Sequence, residues 1–292
     1  MADRYAPIGG QAVIEGVMMR SPRMVATAVR LSDGQIQVKA DPFVSISRRV
    51  RLFSLPIVRG AVVLVESLRI GVGALAFSAD VAVQSDQQKP RTARRFGTLG
   101  LGMGATVLIS FLIGFLAFFY VPLKLTDLTG VRDSFTYNLI DGMIRLAFFL
   151  GYVGAIGFWG EMRRVFMYHG AEHKTIHNLE SGLPLTPENA AGFSRFHPRC
   201  GTSFLFLVVI VSFIVFAFLG RPDTVGQRLL RFSLIPVIAG ISFEIIRFAG
   251  AHYDKPWVRW VSAPGMTLQR LTTREPSRDM LEVAIAALTS VL

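Results

Sequence analysis

Four stretches of the chain are apolar for long enough to cross a lipid bilayer, which takes roughly 20 residues of helix. Leu101–Leu123 and Thr202–Gly220 carry no charge. Leu229–Gly250 carries Arg231, Glu244 and Arg247, and Asn138–Trp159 carries Asp141 and Arg145 near its start. The pattern predicts four transmembrane helices. Residues 53–83 read differently. Pro56 can open a helix, and Arg59, Glu66, Arg69 and Asp80 fall in one stripe of a 3.6-residue period on otherwise apolar chain. An interfacial or re-entrant helix fits that stripe better than a fifth ordinary span.

The first fifty residues alternate as strands do. Met24–Leu31 runs into the turn Asp33-Gly34, and Ile36–Ala40 runs out of it, a hairpin signal. Upstream, Gly9, Gly10 and Gly16 flank a short apolar piece and predict tight backbone geometry. Gln84–Arg95 is polar and basic and reads as a linker. Asp254–Pro276 reads as irregular membrane-surface chain, and Ser277–Leu292 as an amphipathic helix. The expected fold class is therefore mainly α: a polytopic membrane protein of about four transmembrane helices, an amphipathic or re-entrant helix and a small N-terminal β-hairpin region. In sequence order this gives an N-terminal region (1–52), the amphipathic helix with its linker (53–100), a transmembrane domain (101–250) with a polar loop at 160–200, and a C-terminal segment (251–292).

Composition agrees with that class. Of 292 residues 51% are apolar, and the mean hydropathy of +0.46 is above what a soluble domain usually averages. The N-terminus lacks the apolar core and cleavage pattern of a signal peptide. Basic residues cluster before the first span (Lys89, Arg91, Arg94, Arg95), after the second (Arg163, Arg164, Lys174, Arg195, Arg199) and beyond the fourth (Lys255, Arg259, Arg270, Arg274, Arg278). That bias places both termini and the 160–200 loop in the cytoplasm of a multi-pass inner-membrane protein. Positive-inside bias with an anionic lipid surface accounts for the net charge of +11. No recognition motif accompanies the charge, so nucleic acid is not an expected partner. One cysteine excludes an internal disulfide.

The polar loop concentrates the chemistry. Four of the five histidines and the only cysteine lie in it, as His169, His173, His177, His197 and Cys200. The first three are spaced by four on a segment that can continue as a helix from Trp159 to about Leu179, so their rings share a face. The outer pair stands about 12 Å apart along such an axis, so two of the three are expected on one ion, His173 first among them. His197 and Cys200, three apart in a turn, complete a set suited to a divalent metal, zinc in particular. Glu172 and Glu15 are the candidate general bases. Cys200 as a small packed apolar residue is the plain alternative. Arg59 and Glu66 could face the cluster, Glu244 and Arg247 could pair along one helix, Asp141 and Arg145 read as a structural pair, and His252 reads as a surface histidine.

Four blocks, GGQAVIEGVMMRSP at 9–22, PIVRGAVVLVESLRIG at 56–71, YHGAEHKTIHNLE at 168–180 and HPRCGTSF at 197–204, resemble the YqhQ-like family of bacterial membrane proteins. This domain is catalogued as being of unknown function and described as a predicted metal-dependent enzyme. The resemblance covers nearly the whole chain. It implies a metal-dependent activity and draws attention to Gln11, Glu15, Gly16, Arg59, Glu66 and Glu244 as members of the shared blocks.

Two readings follow. One is a metal-dependent hydrolase acting on a lipid or membrane-bound peptide. The other is a non-enzymatic scaffold or membrane-protein insertion factor, with membrane-protein clients and a structural metal or histidine cluster. Four protein ligands would close a tetrahedral site and favour the second; three with a nearby carboxylate would favour the first. A transporter ranks last, since no internal repeat is visible.

Overall fold

The computed structural model describes residues 8–85 and 96–292. The linker reading of Gln84–Arg95 and the reading of the extreme N-terminus fall largely outside them. Four strands come first: β1 (Gly9–Val13), β2 (Gly16–Arg20), β3 (Met24–Arg30) and β4 (Ile36–Pro42). Short α1 (Ile46–Arg49) precedes α2 (Val58–Ser85). After them come α3 (Phe96–Phe115), α4 (Val121–Leu128), α5 (Ser134–Ile156), α6 (Gly160–Ser181) and α7 (Pro187–Ala191). The chain ends with α8 (Gly201–Leu219), α9 (Val225–Ser233), α10 (Ile235–Ala251), α11 (Pro256–Thr272) and α12 (Arg278–Thr289).

Five of the described helices are long and apolar enough to cross a membrane: Val58–Gln84, Leu108–Leu128, Ser134–Ile156, Gly201–Leu219 and Val225–Ala251. Length and composition thus admit five candidates where the sequence pattern predicts four spans and one amphipathic helix. Val58–Gln84 qualifies because its few charges are spread along 27 residues, so the window average stays apolar. Asp254–Pro276 is corrected: most of it is helix α11.

The chain forms two compact units, each discontinuous in sequence. The first holds the N-terminal 86 residues, 153–208 and 236–292. Its sheet is an antiparallel meander in the order β1-β2-β3-β4. The expected hairpin is β3–β4, with Arg30 opposite Ile36 and Gly34 at a left-handed φ of 88°. Strand alternation sends side chains to both faces. Val17, Met19, Ala26 and Ala28 pack with Tyr168, Ala171 and Ile176 of α6 and with Met280, Leu281 and Leu288 of α12. Val13, Met18 and Val29 pack with Ala74 and Val81 of α2. The sheet is thus covered on both faces. Gly16 is needed where β2 meets the Ala28 carbonyl, which leaves no room for a Cβ.

Helix α2 begins against α10, where a Cβ on Gly60 would stand 2.8 Å from the Gly240 Cα. Arg59 donates to both carboxylate oxygens of Glu244 there, at 2.6 and 2.5 Å. Further along, Ile14 N–H donates to Ser78 Oγ, tying the far end of α2 to the first hairpin. Its sheet-facing stripe, Ile70, Ala74, Phe77 and Val81, follows helical spacing. A second apolar stripe, Val65, Leu68, Val72 and Leu75, is exposed.

The second unit comprises residues 87–152 and 209–235. A π-turn over Leu116–Tyr120 joins α3 to α4 and ends two residues before Pro122, which lacks the amide hydrogen a regular helix needs. Asp141 and Arg145 form a buried pair at 2.8 Å, and Arg145 also donates to the carbonyls of Phe118 and Phe119.

Candidate functional site

Helix α6 is the base of the site. It starts after a break at residues 157–159 and stops at Gly182, whose φ of 77° only glycine adopts without cost. One face of α6 is buried against the sheet and α12, so the histidine face turns toward the segment from Arg195 to Cys200. Gly170 lets the chain after α11 cross α6 closely: a Cβ there would collide with the Arg274 carbonyl. That crossing carries the Thr272 carbonyl to His169.

The histidines are oriented by main-chain carbonyls. His169 Nδ1 lies 2.9 Å from Thr272 O, and His173 Nδ1 lies 2.6 Å from Arg195 O. Each Nδ1–H donates, so each Nε2 faces inward, where it can carry a proton toward a neighbour or, once deprotonated, offer its lone pair to a cation. His169 Nε2 is 3.2 Å from Cys200 Sγ. Ligand atoms of His169, His173 and Cys200 lie within 4.8 Å of one another, and so do those of His177, Glu180 and His197. The five expected ligands are therefore brought together, but as two adjoining groups rather than one. The ring centroids run His169–His173 4.5 Å, His173–His197 5.7 Å and His197–His177 4.6 Å.

The two candidate bases part company. Glu172 is buried beside the first group, and its Oε2 has no hydrogen-bond partner. Glu15 belongs to neither group. It sits at the β1–β2 turn with both oxygens held by Arg164 at 2.5 Å. Both oxygens are engaged there, and the structure does not bring Glu15 to the cluster.

The charges follow from burial and proximity. Burial disfavours the His169 imidazolium, yet the Cys200 thiolate beside it, with Glu172 and the Thr272 carbonyl, raises its pKa to about 9. Burial opposes the thiolate too, but His169 and His173 hold Cys200 well below the ordinary thiol value. Burial pushes the Glu172 carboxyl up, against the pull of His169 and His173. His197 is driven down to about 4 by burial despite Glu180. The first group is thus already charge-separated, and a divalent cation would replace its shared proton.

The donor chemistry fits such an ion. Two imidazole nitrogens and a thiolate converge, each ring fixed by a carbonyl on its far nitrogen, as is usual for metal-binding histidines. Cys200 is not merely a packed apolar residue, since its sulfur meets polar atoms of His169 and Thr202.

Other sequence candidates lie elsewhere. Arg59 pairs with Glu244, and Arg247 approaches Glu244 only at 3.8 Å. Glu66 accepts from Ser45 and the Ile46 amide and pairs with Arg20. None of these four joins the cluster. The His252 ring meets the Phe248 carbonyl and stacks on the Phe248 ring, and it belongs to neither group. Glu180, which the sequence places near the end of the histidine face without giving it a role, supplies the carboxylate of the second group; its i+3 spacing from His177 could have signalled this. One residue escaped the sequence reading altogether. Gln269 is fully buried, accepts from the His197 amide at 2.8 Å and donates to the His197 carbonyl at 2.8 Å. Nothing local in the sequence marks it.

Residues 55–292 match the family model described as "Protein of unknown function (DUF1385)". The chain is 34% identical over 299 residues to "Uncharacterized protein YqhQ" of Bacillus subtilis (strain 168), covering 97% of this chain and 92% of that protein. No solved structure matches it.

Proposed function

This chain belongs to the DUF1385, YqhQ-like family, and we propose that it is a metal-dependent hydrolase of the inner membrane, working at the cytoplasmic face. The observation that carries the reading is a three-donor set, His169, His173 and Cys200, with the buried Glu172 electrostatically coupled to all three and its Oε2 unpartnered. Three protein ligands leave a coordination position free for water or substrate, unlike a closed structural site. This favours an enzyme over a scaffold or insertion factor braced by metal. Zinc suits the nitrogen–sulfur donors, and a bound divalent ion lowers the pKa of its water and polarises a substrate oxygen. Glu172 would serve as the proton acceptor there, because burial makes its carboxylate more basic than one in water. Thr272 and Arg195 carbonyls keep the two rings in the tautomer that offers Nε2.

The membrane setting has its own support. The sheet packs on both α6 and α12, so all three lie on one side of any bilayer. An even number of crossings must then separate the sheet from α6, and α6 from α12. The helices of Leu108–Leu128 and Ser134–Ile156 supply the first pair, and Gly201–Leu219 and Val225–Ala251 the second. Helix α2 is left as a non-crossing helix, held along the sheet by Ser78, Ala74 and Val81, with its exposed stripe against lipid. Both termini then share the basic, cytoplasmic side. A lipid or membrane-bound peptide is the substrate class that such a site reaches.

Elemental analysis of the purified protein beside a His173→Ala, Cys200→Ser double variant tests the metal. The double variant is expected to lose the zinc held by this donor set. Equal metal in both proteins would remove the reading.

A further inference from the structure

We propose that His177, Glu180 and His197 form a second metal position, which makes the centre binuclear. This deepens the hydrolase reading and rests on it for its chemistry, although the second position has its own residues.

The geometry of the second group is not that of ordinary hydrogen bonding. Glu180 Oε2 lies 3.8 Å from His177 Nδ1 and 3.5 Å from His197 Nε2. Both separations are too long for a strong hydrogen bond. They are close to the distance between two ligands of one tetrahedral ion, about 3.4 Å for bonds of about 2.0–2.1 Å. The other carboxylate oxygen, Oε1, is engaged by Arg199, which leaves Oε2 alone to face the two rings.

The two rings are held for the task. His177 donates its Nε2–H to the Phe196 carbonyl at 2.9 Å, so Nδ1 offers its lone pair toward Glu180. His197 has its main chain clamped by Gln269 on both amide and carbonyl. Its Nδ1 receives only a long contact, 3.3 Å, from the Arg199 amide. A cation on Nε2 moves the ring proton to Nδ1 and gives that contact up. Two neutral imidazoles and one carboxylate are the donor set of first-row divalent ions with open positions. The set is harder than the thiolate-bearing first group, so the two positions differ in chemistry. His173 and His197 stand side by side between them. Paired ions can hold both oxygens of an ester undergoing displacement, which one ion cannot.

Cobalt(II) titration of the metal-free, full-length protein in detergent tests this. The wild type is expected to bind two ions per chain, one of them giving a thiolate-to-cobalt charge-transfer band. Glu180→Gln and, independently, His177→Asn are expected to bind one ion and keep that band. Cys200→Ser is expected to bind one ion without it. Size-exclusion profiles matching the wild type establish that each variant is folded, and two variants guard against one failing. A single ion in the wild type, carrying the band and unchanged by Glu180→Gln, overturns the second position and leaves the first standing. Two ions in both Glu180→Gln and His177→Asn overturn it equally. No cobalt at all sinks both.

Discussion

Gly10 leaves the space that the Glu172 carboxyl occupies: a Cβ at Gly10 would stand 3.0 Å from both Cδ and Oε1 of Glu172, and 2.5 Å from the Met18 carbonyl oxygen. Strand β1 is bare where it crosses the candidate base. Gly10→Ala must displace either β2 or the carboxyl. The expected cost is about 1–3 kcal/mol, the range for overpacking a tight contact, read as a lowered thermal midpoint in detergent.

Glu172 is also a source of pH dependence. Burial raises its pKa in the folded state, so the folded protein holds this proton more tightly than the unfolded chain. Stability from that proton is present at low pH and is lost as pH rises from the unfolded pKa through the folded one. Glu172→Gln removes the titration. The metal-free variant is therefore expected to be more stable than metal-free wild type at pH 8, with the gap closing toward pH 4. Thermal unfolding across that range checks it; a gap that widens at low pH contradicts the assignment.

His197 acts in the opposite sense. Its pKa falls from 6.5 to about 4 on folding because it is buried. Above pH 6.5 the ring is neutral in both states and contributes nothing. Between 6.5 and 4 the unfolded chain takes up a proton that the folded state refuses, so stability drops as pH falls. The loss is on the order of 3 kcal/mol at about 1.4 kcal/mol per pKa unit. Metal-free His197→Asn is expected to show a flatter acid limb.

Gln269 makes hydrogen bonds to both main-chain groups of His197 and to Ser203 Oγ. Gln269→Leu keeps the volume close, strands the buried His197 amide and leaves the His197 carbonyl only the longer bond from the Cys200 amide, at 3.3 Å. The expected destabilisation is about 2–4 kcal/mol, from unmade buried hydrogen bonds. Calorimetry of the wild type and variant checks this.

Helix α2 gives a topological prediction. In a Cys200→Ser background, Gln84→Cys should stay unlabelled by a membrane-impermeant maleimide in intact cells and react in inverted vesicles. Thr129→Cys, in the connection after α4, should do the reverse. Labelling of Gln84→Cys from outside would mean that α2 crosses.

Much of this architecture was legible along the chain because it rests on periodicity. Uncharged runs such as Thr202–Gly220 can only be buried or in lipid, and the Asp33-Gly34 turn fixes its hairpin locally. The four-residue spacing of His169, His173 and His177 put three rings on one face before any fold was known. Tertiary structure decided the rest. Hydropathy counts apolar residues without asking what they touch, so it could not tell that one stripe of α2 rests on a sheet while the other is exposed. Spacing could not say which histidines group together either. That depended on where the crossing of the chain over Gly170 delivers the Thr272 carbonyl, and on Gln269, 72 residues from His197, fixing the turn that carries it. Local pattern sets elements because helices and strands are local. The site is set by contacts between distant segments, which only the folded chain brings together.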